Sequence, residues 1–262
     1  MLFNPIFTAP GGSGAGKTSL LNALCGRAHY GRVSGDVIIN GNTAKIEDQT
    51  HAMGFVPQDD IVYAELTVFE NLVFAGRFKL PRGTSRETIE FLAEEVIADL
   101  GLSRVANSLV GDVYRRGVSG GEKKRVNIGL ELMAKPSILF LDEPTSGLDS
   151  SSAMVVMSSL NNLVKSNGMT ICSVIHQPRQ QIFEQFDSLI LLGVGGRMVY
   201  HGDISSVLDY FELRGYHLPE GESLADWMID ISSGRLSPNL STQPSMKQLN
   251  NPGDMGAVNR SR

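Results

Sequence analysis

Near the start of the chain, Gly11-Gly12-Ser13-Gly14-Ala15-Gly16-Lys17-Thr18 carries the spacing GxxxxGK[ST], and that spacing suits the phosphates of a nucleotide. The glycines let the backbone curl so that successive N–H groups point inward, and a helix that follows adds positive potential at its first turn. Lys17 is placed to reach the β- and γ-phosphates and Thr18 to ligate Mg²⁺. A second constellation is Phe140-Leu141-Asp142-Glu143-Pro144, an apolar run that ends in two carboxylates. On its own this is more often a polar turn than a catalytic pair. Paired with a phosphate loop it supplies Asp142 to hold Mg²⁺ through water and Glu143 to orient and deprotonate an attacking water. His176 closes the apolar run Ile171-Cys172-Ser173-Val174-Ile175, where it would reach the γ-phosphate if that run is the next parallel strand. His29, His51, His201 and His217 have no comparable placement.

These groups need a frame that brings strand ends together. Leu20, Leu21 and Leu24 follow the phosphate loop on one helical face, which predicts a loop opening into a helix. Asp36-Val37-Ile38-Ile39 with Asn40-Gly41 predicts a strand and tight turn of a hairpin. Residues 68–102 form a helical insert: Ile89, Leu92, Ala93, Val96, Ile97 and Leu100 keep helical spacing, and Thr84 with Glu87 suits a capping box. From Ser119 a helix carrying Val126, Leu130 and Met133 leads to a strand at 138–141, a helix at 151–165 and a strand at 170–175. Strand, helix, strand predicts a parallel sheet. Residues 189–192 and 198–201 flank Gly195-Gly196 as a hairpin, and 207–213 and 224–231 read as short helices. After Gly234 the periodicity stops, and residues 235–262 are expected to form a disordered tail.

Composition narrows the classes. With 23 Lys and Arg against 28 Asp and Glu, the chain lacks the broad cationic character of a nucleic-acid binder, so any anion site must be local. Lys123, Lys124 and Arg125 are expected on the solvated face of their helix. No apolar run is long enough to span a bilayer, the first ten residues hold two prolines and no basic leader, and a cytosolic chain is expected. Cys25 and Cys172 sit in apolar segments and read as core thiols.

Between the phosphate loop and the acidic strand lies Val118-Ser119-Gly120-Gly121-Glu122, and with it the chain resembles the ABC ATPases. Their Leu-Ser-Gly-Gly-Gln signature is matched with Val118 for the leucine and Glu122 for the glutamine. Gln58 in Gly54-Phe55-Val56-Pro57-Gln58 looks like the Q-loop glutamine, Ser146-Gly147-Leu148-Asp149 like the D-loop, and His176 like the switch histidine. Further along, His176-Gln177-Pro178-Arg179, Phe186-Asp187-Ser188-Leu189, Tyr200-His201-Gly202 and Ala225-Asp226-Trp227 resemble the G subfamily of half-transporters. The resemblance covers Gly11 to about Gly234.

What the resemblance implies is a P-loop NTPase of ABC type in residues 1–234: an α/β fold with a mainly parallel sheet flanked by helices, a helical subdomain at about 65–133, and a depleted antiparallel β part at the N-terminus. ATP and Mg²⁺ are the implied ligands. Residues 11–18 would bind ATP together with Asp149, and with Ser119, Gly120 and Gly121 of a second ATPase domain stacked head to tail. Thr18, Asp142 and Gln58 would serve the metal, and Glu143, His176 and Gln58 the hydrolysis. The Gln58 loop, through Asp59, Asp60 and Ile61, would pass the change to a transmembrane domain, and the domain would work at the cytosolic face of a membrane. Family members carry a longer leader, with antiparallel strands and an adenine-stacking aromatic residue; here ten residues precede Gly11, and neither Phe3 nor Phe7 is expected to replace that aromatic. A chain truncated at its N-terminus and lacking its membrane domain is therefore expected. A soluble ABC ATPase and a non-catalytic nucleotide-binding remnant are the alternatives.

Overall fold

Interior strands of a parallel sheet are covered on both faces and need apolar side chains at nearly every position, and the runs at 138–141 and 170–175 meet that demand. The computed structural model describes residues 5–8, 16–39, 41–44, 46–176 and 178–239. Phe3, the side chain of Phe7, Gly11, Gly12, Ser13, Gly14, Ala15, Asn40, Gln177 and the expected tail from residue 240 onward lie outside the described residues. In chain order the elements are β1 (Pro5–Thr8), α1 (Lys17–Leu24), β2 (Val37–Ile39), β3 (Asn42–Ala44), β4 (Met53–Val56), α2 (Val68–Lys79), α3 (Arg86–Asp99), α4 (Gly120–Leu132) and β5 (Ile138–Asp142). They continue with α5 (Ser150–Asn167), β6 (Thr170–Ile175), α6 (Gln180–Phe183), β7 (Ser188–Leu192), β8 (Met198–Asp203), α7 (Val207–Glu212) and α8 (Leu224–Ser232).

Six strands form one sheet in the order β4-β5-β6-β1-β7-β8. All neighbouring pairs are parallel except β7 and β8, which form the expected antiparallel hairpin. Alternate residues face opposite layers. Phe140, Cys172 and Val174 join Leu21 of α1 and Cys25 just after it in one cluster, while Leu139, Leu141, Ile171 and Ile175 belong to the larger core on the other side. Both cysteines are buried, and burial pushes the Cys172 thiol up from its ordinary pKa. The parallel register aligns Val56 with Leu141, Asp142 with Val174, and Thr8 with Ile175. The carboxyl ends of β1, β4, β5 and β6 thus share one edge, where ligands of open α/β sheets bind.

The antiparallel part consists of β2 and β3, paired Val37 to Ala44 and Ile39 to Asn42. The helical insert is two helices, because Leu80 precedes a proline and is driven out of helical geometry, with ψ 156°. Ser85, and not Thr84, caps α3: its hydroxyl accepts from Thr88 N at 3.2 Å. The Thr84 hydroxyl is committed to Pro81 O at 2.8 Å in the preceding turn. The apolar positions read from spacing, Ile89 through Leu100, are all buried. Gly129 allows α4 to approach α2 and α3; a Cβ there would stand 2.9 Å from Leu72 and 3.0 Å from Leu100.

Two expectations are corrected. Order does not end at Gly234: Leu236 packs on the core, Arg235 pairs with Asp230, and Asn239 N donates to Gly215 O at 2.7 Å. The short polar stretch has no periodicity to read, yet it completes the backbone bonds of the turn after α7. Nor are Lys123, Lys124 and Arg125 a solvated face. None of the three is fully exposed, and Lys124 is 3% exposed. Arg125 donates to the carbonyls of Leu100, Gly101 and Gly121, closing the end of α3 against α4.

Candidate nucleotide site

The site is built from loops that leave the sheet at its carboxyl edge. Gly16 stands at the start of α1 with φ 81°, a left-handed conformation open to glycine, and no side chain caps the helix behind it. A helix start without an N-cap side chain is of the kind that takes an anion on its N–H groups. Lys17 is 9% exposed. Burial lowers its pKa, while the charges of Glu143 and Asp142 act in the opposite sense.

At the end of β5, Asp142 is 7% exposed and accepts from the Thr18 hydroxyl at 3.4 Å. Burial raises its pKa; the Thr18 bond opposes the rise, Glu143 adds to it, and Lys17 opposes it. A hydroxyl and a carboxylate held face to face are oxygen donors of the kind Mg²⁺ takes. No group of three or more His, Cys, Asp or Glu side chains among the described residues could hold a metal. The donor set fits a magnesium ion that shares its coordination with phosphate oxygens and water, since Mg²⁺ keeps several waters and uses few carboxylates.

Glu143 has φ 48°, one of two non-glycine residues with positive φ among those described. Its N–H still donates to Val174 O on β6 at 2.9 Å, so the chain turns sharply while the sheet register is kept. Such a conformation costs about 1–3 kcal/mol and persists where the surroundings hold it. The Glu143 carboxylate accepts from Gln58 Nε2 at 3.1 Å, and the same amide lies 3.5 Å from Ser146 Oγ. Exposed His176 borders a cavity of about 230 Å³ together with Glu143, Ser146, Leu148 and Arg179. The structure therefore brings Lys17, Thr18, Asp142, Glu143, Gln58 and His176 to one edge.

The remaining expected residues take other positions. Ser119 caps α4 in a closed capping box: its N–H and hydroxyl both donate to Glu122 Oε2 at 2.7 Å, and Glu122 N returns to Ser119 Oγ at 3.4 Å. Burial pushes the Glu122 carboxyl up, but the bonds from Ser119 prevail and hold it below its ordinary value. Glutamine or glutamate serves such a box equally, which accounts physically for Glu122 in the signature. Gly121 packs against Ser152, and Gly120 neighbours Leu148. Asp149 caps α5, accepting from Ser151 N at 3.1 Å, Ser152 N at 3.2 Å and the Ser151 hydroxyl, and these bonds hold its carboxyl far below the usual range.

Two features escaped the sequence. Lys124 Nζ sits 2.6 Å from Asp60 and donates to Gln58 O at 2.7 Å. The signal was present, since Lys124 lies three residues after buried Gly121 and four before buried Ile128, on the inward stripe of α4. The second is an exposed apolar edge beside the Gln58 loop, where Tyr63, Phe74 and Phe78 stack edge to face at 5.1 and 4.9 Å, with Ile61 70% exposed. Residues from a loop and a helix meet there, so no single periodicity shows it.

Comparison with known proteins gives the family. A family described as ABC transporter matches residues 6–146, and one described as ABC-2 type transporter matches residues 176–252, carrying the resemblance beyond Gly234. ABC transporter G family member 28 of Arabidopsis thaliana is 46% identical over 239 residues, covering 91% of this chain and 22% of that protein. A broad substrate specificity ATP-binding cassette transporter of Rattus norvegicus is 45% identical over 224 residues, covering 86% of this chain and 34% of that protein. The chain thus spans roughly a fifth to a third of the length of these curated relatives. Among solved structures, a dimeric ATP-binding cassette in a post-hydrolysis state, bound to ADP and Pi, superposes with TM-score 0.59 at 26% identity, covering 78% of this chain and 85% of that one. No helix among the described residues is long and apolar enough to cross a membrane.

Proposed function

Because this chain belongs to the ABC transporter family, we propose that it binds Mg-ATP at the start of α1 and hydrolyses it as the cytosolic ATPase domain of a G-type half-transporter. The observation that carries this is the convergence of Lys17, Thr18, Asp142, Glu143 and Gln58 at the carboxyl edge of the sheet. Lys17 and the N-terminus of α1 bind the phosphates and offset their charge. Thr18, Asp142 and Gln58 are the residues that would hold Mg²⁺, which when bound polarises the phosphoryl oxygens. Glu143 takes the proton of the attacking water, with Gln58 orienting its carboxylate and His176 holding the γ-phosphate side of the cavity.

Ser119, Gly120 and Gly121 complete the site of a second ATPase domain arranged head to tail, a reading supported by their exposure or position at the start of α4 and by the dimeric state of the solved relative. The apolar edge of Ile61, Tyr63, Phe74 and Phe78 lies next to the Gln58 loop, and an exposed aromatic group of that kind marks an interaction surface. A transmembrane domain docked there would feel each movement of the loop. The test is a nucleotide titration with parallel phosphate release. Lys17→Ala is expected to weaken Mg-ATP binding by at least about tenfold, or ~1.4 kcal/mol, and equal affinities would reject the site.

A further inference from the structure

Lys124 is a buried cation inside a helix that begins with the signature, and both of its contacts lie on the Gln58 loop. Its Nζ is 2.6 Å from Asp60 Oδ1 and donates to the Gln58 carbonyl at 2.7 Å. One turn along α4, Asn127 supports the same loop: its amide donates to Asp60 Oδ1 at 3.4 Å and its carbonyl oxygen accepts from Ile61 N at 3.3 Å. Two residues of α4 therefore hold Gln58, Asp60 and Ile61, and Gln58 is the residue whose side-chain amide meets Glu143 at 3.1 Å. A buried ion pair adds little net stability, because desolvation offsets the attraction, but its geometry can specify register. Here the register is that of the loop on the helix.

We propose that Lys124 and Asp60 form a buried latch by which α4 sets the position of Gln58 against Glu143, making Lys124 a positioning residue for ATP hydrolysis. The inference rests on the roles proposed above for Glu143 and Gln58. Lys124 lies just over one turn from Ser119 on the same helix. A ligand from a second domain that engages Ser119 would displace α4, and the latch would carry that displacement to the Gln58 backbone. The pull acts on the carbonyl of the residue whose amide faces Glu143, so a small shift changes the geometry around the attacking water.

Removing one partner of a buried pair leaves a stranded charge, whereas an apolar replacement of both partners is often neutral in stability. The test therefore compares Lys124→Arg, which keeps the charge, with the double variant Lys124→Met/Asp60→Leu, in the full chain. The double variant is expected to melt close to the parent and to keep its KM for ATP within about twofold. Its kcat should fall by about 10-fold to 10²-fold, the scale of a misplaced positioning group, and Lys124→Arg should recover most of it. An unchanged kcat in a folded double variant overturns the proposal, as does a loss confined to KM. If parent and Glu143→Gln are equally inactive, the hydrolytic reading fails on its own. The latch is then read by hydrogen exchange: faster exchange of Ile61 N–H in the double variant with α4 unchanged supports it, and unchanged exchange at Ile61 refutes it.

Discussion

The molecule holds two helix starts of similar sequence character and opposite condition. At α1 the residue before the helix is Gly16, left-handed and without a side chain, so it offers the helix start no side-chain cap. At α4 the corresponding residue is Ser119, and its hydroxyl is already bonded to Glu122 in a reciprocal box. Both are anion sites in principle, because orphan N–H groups and the helix dipole act at each. The first has no N-cap side chain to displace. The second must exchange a bond to Glu122 for a bond to a ligand, and that ligand would also meet the negative charge of Glu122, which the bonds from Ser119 keep ionised. On the roles proposed above, the difference separates a start whose N-cap holds no bond to exchange from one where engagement perturbs a helix tied to the Gln58 loop.

The sharpest way to test the site at α1 is to replace its proposed base. Glu143→Gln is expected to slow hydrolysis by ~10²–10⁴-fold while ATP affinity stays near the parent value, measured by phosphate release and by titration. A loss of binding equal to the loss of turnover would instead make Glu143 part of the binding surface.

The closed start should behave otherwise. Ser119→Ala is expected to lower stability by about 1 kcal/mol, the usual worth of an N-cap, and to leave ATP affinity of the single chain unchanged. Glu122→Gln should retain the melting temperature, since the amide can accept from Ser119 as the carboxylate does. Thermal melting beside titration reads both. A Ser119→Ala chain that lost its own ATP affinity would show that the two helix starts serve one site in one chain, and the contrast between them would collapse.

The smallest effect is electrostatic. Asp142 has a pKa raised by burial, so the folded state binds its proton more tightly than the unfolded chain. Its contribution to stability is present at low pH and is lost as pH rises from the unfolded value through the folded one. Compared with Asp142→Asn, the parent should therefore lose melting temperature as pH rises from about 4 toward neutrality. Mg-ATP should narrow the difference, because bound cation favours the carboxylate. A gap that stays constant with pH would mean that Asp142 is not strained by burial.

The order of apolar runs, the glycine-rich loop before a helix and the carboxylates after a strand were legible in the sequence, because each is a local pattern and the loop gives the carboxylates their meaning. From them came the parallel sheet, its ligand edge and the residues gathered there, Lys17, Thr18, Asp142 and Glu143. Tertiary structure alone decided the fate of the charges on α4. Reading a basic run as a solvated face assumes that a charge seeks water; Lys124 instead finds Asp60 and the Gln58 carbonyl across more than sixty residues of chain. A similar gap hid the cap of α3, where Thr84 and Ser85 are both good caps and only the turn after Pro81 shows which hydroxyl is already used. It also hid the order of Arg235 to Asn239, whose partners lie in earlier turns. Periodicity reports the face of one element, whereas pairing between elements depends on distances that exist only once the chain has folded.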